Sequence, residues 1–329
     1  MAANYYASTQ SIHWTHTRAS LAHQRALLAA SAPPTLTAKY PSSTLPDPRH
    51  IRIYLHAQLA KLARRNTLRQ QCLATAQTYL ARFYTLIDIR ATNVYLLMTT
   101  AIYLACKIEE SPHHIRVMLS EAARQWPELG VSEVARIGEC EFALISTLRA
   151  RLVVWHPYRF LGELAGIVGL GAEEQGLAWS VVNDSYCTDL QFLYPPHIIA
   201  TAAVFLAVVL RPATPAGLHA HSTHAQHASS STTSSASAPA SSSTTAPALP
   251  GANPAVHAAL ASFANLKHAG PKLAKLVDWL ADSGVAMEGL VDATQELVSL
   301  YQCWEEYNER GVKEALGKFS REGGTGVGK

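Results

Sequence analysis

Two short runs of this chain are apolar on every side. Ala101-Ile102-Tyr103-Leu104-Ala105-Cys106 recurs 102 residues later as Ala203-Val204-Phe205-Leu206-Ala207-Val208. A helix that is apolar all round cannot lie on a surface and must be wrapped by neighbours. The recurrence therefore predicts two similar helical bundles in tandem, each built on one central helix, with a boundary near Val153 to Pro157. The longer run containing the second copy, Ile198 to Leu210, has 13 residues set between Pro195-Pro196 and Arg211-Pro212. A bilayer span needs about 20, so a buried core helix is expected and a membrane role is not.

Helical periodicity extends beyond these runs. Cys72, Ala76, Tyr79, Leu80 and Phe83 form one stripe, and Leu96, Leu97, Ala101, Leu104, Ala105 and Ile108 another. Val134, Ile137, Leu144, Ile145 and Leu148 give a third, and Met287, Leu290, Val291, Thr294, Val298 and Tyr301 a fourth. Pro157 and Pro195-Pro196 suit helix starts, where a missing N–H costs nothing. With no alternating pattern anywhere, the chain reads as all-α, with about ten or eleven helices.

Composition marks what lies outside the bundles. From Pro212 to Leu266 there is no Asp, Glu, Lys or Arg, and Ala228 to Ala248 consists of 13 Ser/Thr, six Ala and two Pro. Such a stretch has too little bulky apolar surface to offset its ordering entropy and reads as a disordered insertion. The expected division is an N-terminal helix segment (1–30), a Pro/Ser/Thr-rich linker (31–48) and a first repeat (49–152). A second repeat (153–211 and 267–318) follows, split by the insertion (212–266), and a flexible tail (319–329) closes the chain.

Lys plus Arg total 27 against 24 Asp plus Glu, a net charge of +3, which argues against a strongly basic nucleic-acid binder. Five cysteines stand far apart without a C-x-x-C pair, so neither a disulfide framework nor a zinc module is expected, and a reducing compartment is. Ala2 to Ser20 lacks the basic start and apolar run of a secretory leader.

Two charges sit where the stripes ask for apolar residues. Glu141 lies i+4 from Ile137 and i−3 from Leu144, and Lys107 lies i+3 from Leu104. Glu139, two residues from Glu141, is about 200° around the helix and faces elsewhere. The pair reads either as an ion pair tying two helices of one bundle or as a feature presented to a partner. In the recurrence Lys107 corresponds to Val209, so the bundle itself does not need the lysine, which favours the partner.

Other candidates carry less. His219, His221, His224 and His227 have metal-like spacing without Cys or carboxylate neighbours, and Thr214-Pro215 is a minimal proline-directed phosphorylation site. Asp184 and Asp189 read as solvated or capping acids, and Tyr301, Trp304 and Tyr307 as core rings of which one faces a surface groove. No phosphate loop, metalloprotease motif or nucleophile elbow is present, so no active site and no cofactor or metal is expected.

LACKIEES (Leu104 to Ser111) followed by CEFALISTL (Cys140 to Leu148) resembles the cyclin box. VVWHPYRFL (Val153 to Leu161), LAWSVVNDSYCTDLQFLYPPHIIA (Leu177 to Ala200) and NYYASTQSIHW (Asn4 to Trp14) narrow the resemblance to the cyclin C branch of that family. It covers most of the chain outside Ser31 to Pro48 and Pro212 to Leu266. The resemblance implies two five-helix cyclin repeats behind an N-terminal helix, with helix one of the first repeat beginning near Pro48. It also implies a nuclear, non-catalytic subunit that activates the cyclin-dependent kinase of the Mediator kinase module and contacts other subunits of that module. The family's interface lysine and glutamate match Lys107 and Glu141, and the N-terminal helix would add Ile12 and Trp14 to the kinase contact. A groove for a Mediator subunit would be formed by Tyr6, Asn183, Asp184 and Tyr301, where Tyr6 replaces the family's usual tryptophan. Cyclins act by docking on the kinase's mobile αC helix and favouring its active conformation. The rivals are a cyclin-fold general transcription factor and a helical scaffold without a kinase.

Overall fold

Side-chain caps start several of the helices. Ser8, Thr17, Asp47 and Asn93 each accept a backbone N–H of the following turn, fixing the entries of α1 (Thr9–Trp14), α2 (Arg18–Ala30), α4 (Pro48–Arg65) and α6 (Val94–Ile108). The computed structural model describes residues 4–210 and 270–320. The remaining helices are α3 (Pro34–Lys39), α5 (Gln70–Tyr84), α7 (Ile115–Gln125), α8 (Val134–Thr147), α9 (Tyr158–Val168), α10 (Ala172–Ser185), α11 (Leu190–Leu193) and α12 (Pro196–Leu210). After the undescribed segment come α13 (Pro271–Ser283), α14 (Met287–Glu305) and α15 (Glu309–Ser320). Among the described residues there is no strand. The fifteen helices exceed the expected ten or eleven mainly because α1, α3 and α11 are only six, six and four residues long, too short to show a period.

The two apolar runs are the central helices. α6 lies among α4, α5, α7 and α8, and α12 among α9, α10, α13 and α14. Each therefore sits at the middle of a five-helix unit, the two cyclin-type repeats expected. The residues of the first stripe are all buried. The fourth runs differently: Met287 and Val291 are exposed, and α14 buries Leu290, Ala293, Leu297, Leu300, Tyr301 and Trp304 instead. Gly289 lies on that inner face, where a Cβ would stand 3.1 Å from the Tyr194 ring.

Two segments join the repeats. The N-terminal arm runs across both: Gln10 Oε1 accepts from Arg82 of α5 and from the Trp155 N–H, while the His16 N–H donates to the Phe192 carbonyl. α15 leaves the second repeat and packs on the first, where Glu309 accepts from Gln58 and Lys61 and Phe319 meets Tyr40 edge-on. It continues to Ser320, past the expected end of order at residue 318. The connection 31–48 is partly helical (α3), and its Tyr40 carbonyl accepts from the buried Arg90 at 2.8 Å. The expected insertion at 212–266, with His219, His221, His224, His227 and Thr214-Pro215, lies outside the described residues, as do 1–3, 211, 267–269 and 321–329.

Candidate functional site: an ion pair on an exposed helix face

α6 and α8 lie side by side in the first repeat and bring the two misplaced charges together. Lys107 Nζ donates to Glu141 Oε1 over 2.7 Å, and the ammonium also stands 5.3 Å from the centre of the Tyr103 ring. The lysine side chain is 44% exposed and the glutamate 15%, so the pair sits at the surface with its carboxylate tucked in. An exposed pair of this kind is worth about 0–1 kcal/mol to stability. Glu139 faces away, as its spacing implied, and binds Arg136 at 2.8 Å.

Each member of the pair is followed in sequence by an exposed apolar side chain. Phe142, next to Glu141, is 77% exposed and the most open large apolar side chain in the described structure; Ile108, next to Lys107, is also exposed. A large ring left in water next to a fixed ion pair is what a protein-binding face presents.

The N-terminal candidates separate. Ile12 is 62% exposed, whereas Trp14 is 6% exposed and lies under the Arg82 guanidinium, 5.0 Å from its ring centre. Trp14 is therefore an internal anchor and not a contact open to a kinase. Arg82 is buried with it, bonded to the Arg151 carbonyl and Gln10, and burial pulls its pKa down to about 10.

The expected groove does not assemble as one surface. Tyr6 is exposed and touches His197. Asn183 is half-buried and its Oδ1 accepts from Gln70 Nε2 and the Tyr158 hydroxyl. Asp184 and Tyr301 are buried and bonded to each other, the tyrosine hydroxyl donating to Asp184 Oδ2 over 3.0 Å. Burial pushes the Asp184 carboxyl up to about 7 against that hydrogen bond. Trp304 and Tyr307 are buried too, so none of the three rings near the end of α14 faces a groove. The physical reason is that α10 and α14 pack directly on one another, closing the space between them. Asp189 is a junction acid, held at about 2 against its burial by Arg52 and Arg25.

One constellation was not singled out from the sequence. Thr75 Oγ1 donates to Glu109, the C-cap of α6, over 2.5 Å, so His156 Nε2 donates to the same hydroxyl at 2.8 Å. Its Nδ1 shares a hydrogen bond with the Tyr186 hydroxyl at 2.7 Å. Burial alone would raise the Glu109 pKa, yet His156 and Thr75 hold it below the usual range. The relay runs from the end of the Lys107 helix, through the inter-repeat connection, into α10. His156 stands inside the VVWHPYRFL stretch, which was the available signal, but nothing there named its partners.

Comparison with known proteins decides the lineage. The family described as cyclin, N-terminal domain, matches residues 29–153, a span that takes in 31–48. An RNA polymerase II holoenzyme cyclin-like subunit of Emericella nidulans is 46% identical over 323 residues, covering 98% of each chain. The chain belongs to the cyclin family. A relative of the same description from Neurospora crassa is 46% identical over 341 residues, covering 97% of this chain and 98% of its own. Among solved structures, one chain of the CAK complex from Chaetomium thermophilum bound to ATP-gamma-S superimposes with a TM-score of 0.58 at 18% identity. It covers 98% of this cyclin and 88% of that chain, a likeness of fold.

Proposed function

We propose that this cyclin is the non-catalytic subunit that binds and activates the cyclin-dependent kinase of the Mediator kinase module, acting in the nucleus on RNA polymerase II transcription. The observation that carries the reading is the exposed Lys107–Glu141 pair beside Phe142, on the repeat that the cyclin domain family matches. The relatives' description as RNA polymerase II holoenzyme cyclin-like subunits supports the transcriptional setting. On this reading Lys107 and Glu141 bond the kinase backbone, Phe142 and Ile12 supply apolar contact, and the cyclin's differential affinity draws the kinase into its active conformation. Tyr6 and Asn183 remain the accessible part of a contact for a second module subunit.

A charge-swap cycle tests it. Tagged wild type, Lys107→Glu, Glu141→Lys and the double variant are used to capture kinase from nuclear extract, with phosphorylation of a polymerase C-terminal-repeat peptide as readout. Each single variant is expected to lose about ten-fold or more in kinase recovery while shifting stability by no more than about 1 kcal/mol. The double variant restores the intramolecular pair; if it also restores the kinase, the pair is structural and the interface lies elsewhere.

A further inference from the structure

α6 ends in a turn that its own backbone does not favour. The Glu109 N–H donates to the Ala105 carbonyl and the Ser111 N–H to the Cys106 carbonyl, both over 2.9 Å, which closes the helix through Glu110. Glu110 sits in the left-handed region at φ +49°, the place where a helix end most often carries glycine. A side chain there opposes the turn, so the closure needs support from elsewhere. Lys107 stands in the last turn of the same helix, two residues before Glu109.

Support arrives through the Glu109 side chain. Its carboxylate accepts from the Thr75 hydroxyl of α5 at 2.5 Å, and Thr75 Oγ1 accepts in turn from His156 Nε2 at 2.8 Å. His156 is fixed on its other side by the hydroxyl of Tyr186, the residue that ends α10. Thr75 has no exposed surface, and the side chains of His156 and Glu109 are only 6% and 12% exposed, so water competes little for these bonds. They hold Glu109 ionised against its burial, and an ionised acceptor makes the stronger bond.

We propose that Thr75 and His156 are positioning residues for the kinase face: through Glu109 they hold the last turn of α6, and Lys107 on it, in the conformation that the kinase binds. This rests on the reading of Lys107 and Glu141 as the kinase contact. It makes the connection between the repeats, which carries His156, part of what sets that face.

Amide hydrogen exchange and kinase capture from nuclear extract are measured on full-length wild type, Thr75→Val, Thr75→Ser and Lys107→Glu. In Thr75→Val, exchange over Ala105 to Ser111 should quicken about ten-fold or more while Ile53 to Leu59 in α4 keeps its rate. Kinase capture should fall about five-fold in the same variant, and Thr75→Ser, which restores the hydroxyl, should return both readouts to near wild type. Should Thr75→Val fail to fold, Glu109→Ala at its half-buried position decides by the same exchange readout. Unchanged exchange over Ala105 to Ser111, equal losses in Thr75→Ser and Thr75→Val, or full capture by Thr75→Val when Lys107→Glu has lost the kinase overturns the assignment. Retention of the kinase by Lys107→Glu would instead overturn the kinase face itself, and the positioning role with it.

Discussion

Asp184 carries a cost that its fold accepts. Its carboxyl titrates near 7 in the folded protein, against about 3.9 in an unfolded chain. Between those values the folded state binds more protons than the unfolded one, so stability falls as pH rises from about 4 to about 7 and levels off above. Asp184→Asn removes the titration while keeping an acceptor for Tyr301. The variant is expected to gain on wild type by about 2–3 kcal/mol between about pH 5 and about pH 8, read from urea unfolding. Parallel pH curves for the two proteins would show that the buried carboxyl titrates normally. Nothing in the sequence announced this burial. An aspartate among Ser180, Asn183 and Ser185 reads as solvated, and only the packing of α14, more than a hundred residues away, encloses it.

Among the elements, α1 shows how one short helix divides its work. One face is closed on Arg82 and Trp155 through Gln10 and Trp14, while Ile12 stands outside. Trp14→Ala deletes a buried ring and the surface on which a buried guanidinium rests, and should cost about 3–5 kcal/mol. Ile12→Ala should change stability by less than about 0.5 kcal/mol while weakening kinase capture. Equal stability losses in chemical unfolding would contradict the division. The two positions looked alike in the sequence because six residues are too few to show a buried face, and the partners that distinguish them come from α5 and the inter-repeat connection. The long helices were legible for the opposite reason. α6 and α12 are apolar on every side, a property that only a central position can satisfy. Lys107 and Glu141 were legible as exceptions to such stripes, but their mutual bond leaves both the intramolecular and the partner-facing reading physically available.

At the scale of the molecule, the two repeats are tied by the N-terminal arm, by α15 and by the His156 relay, all of them within the described residues. The charge-free residues 212–266 lie outside the described residues. Replacing them with a short Gly-Ser linker shortens the connection between α12 and α13 and should stabilise the protein by about 1 kcal/mol through loop entropy, leaving kinase capture unchanged. A large fall in melting temperature, or loss of the complex, would assign the segment a structural role.

The duplication is unequal in one place that counts. Lys107 is exposed near the end of the first central helix, and at the matching position of the second stands Val209, which is buried. Of the two central helices, only the first therefore presents a cation at this position. If, as proposed, a kinase is held through that end, one kinase is expected per cyclin, with the second half a support for the first rather than its duplicate.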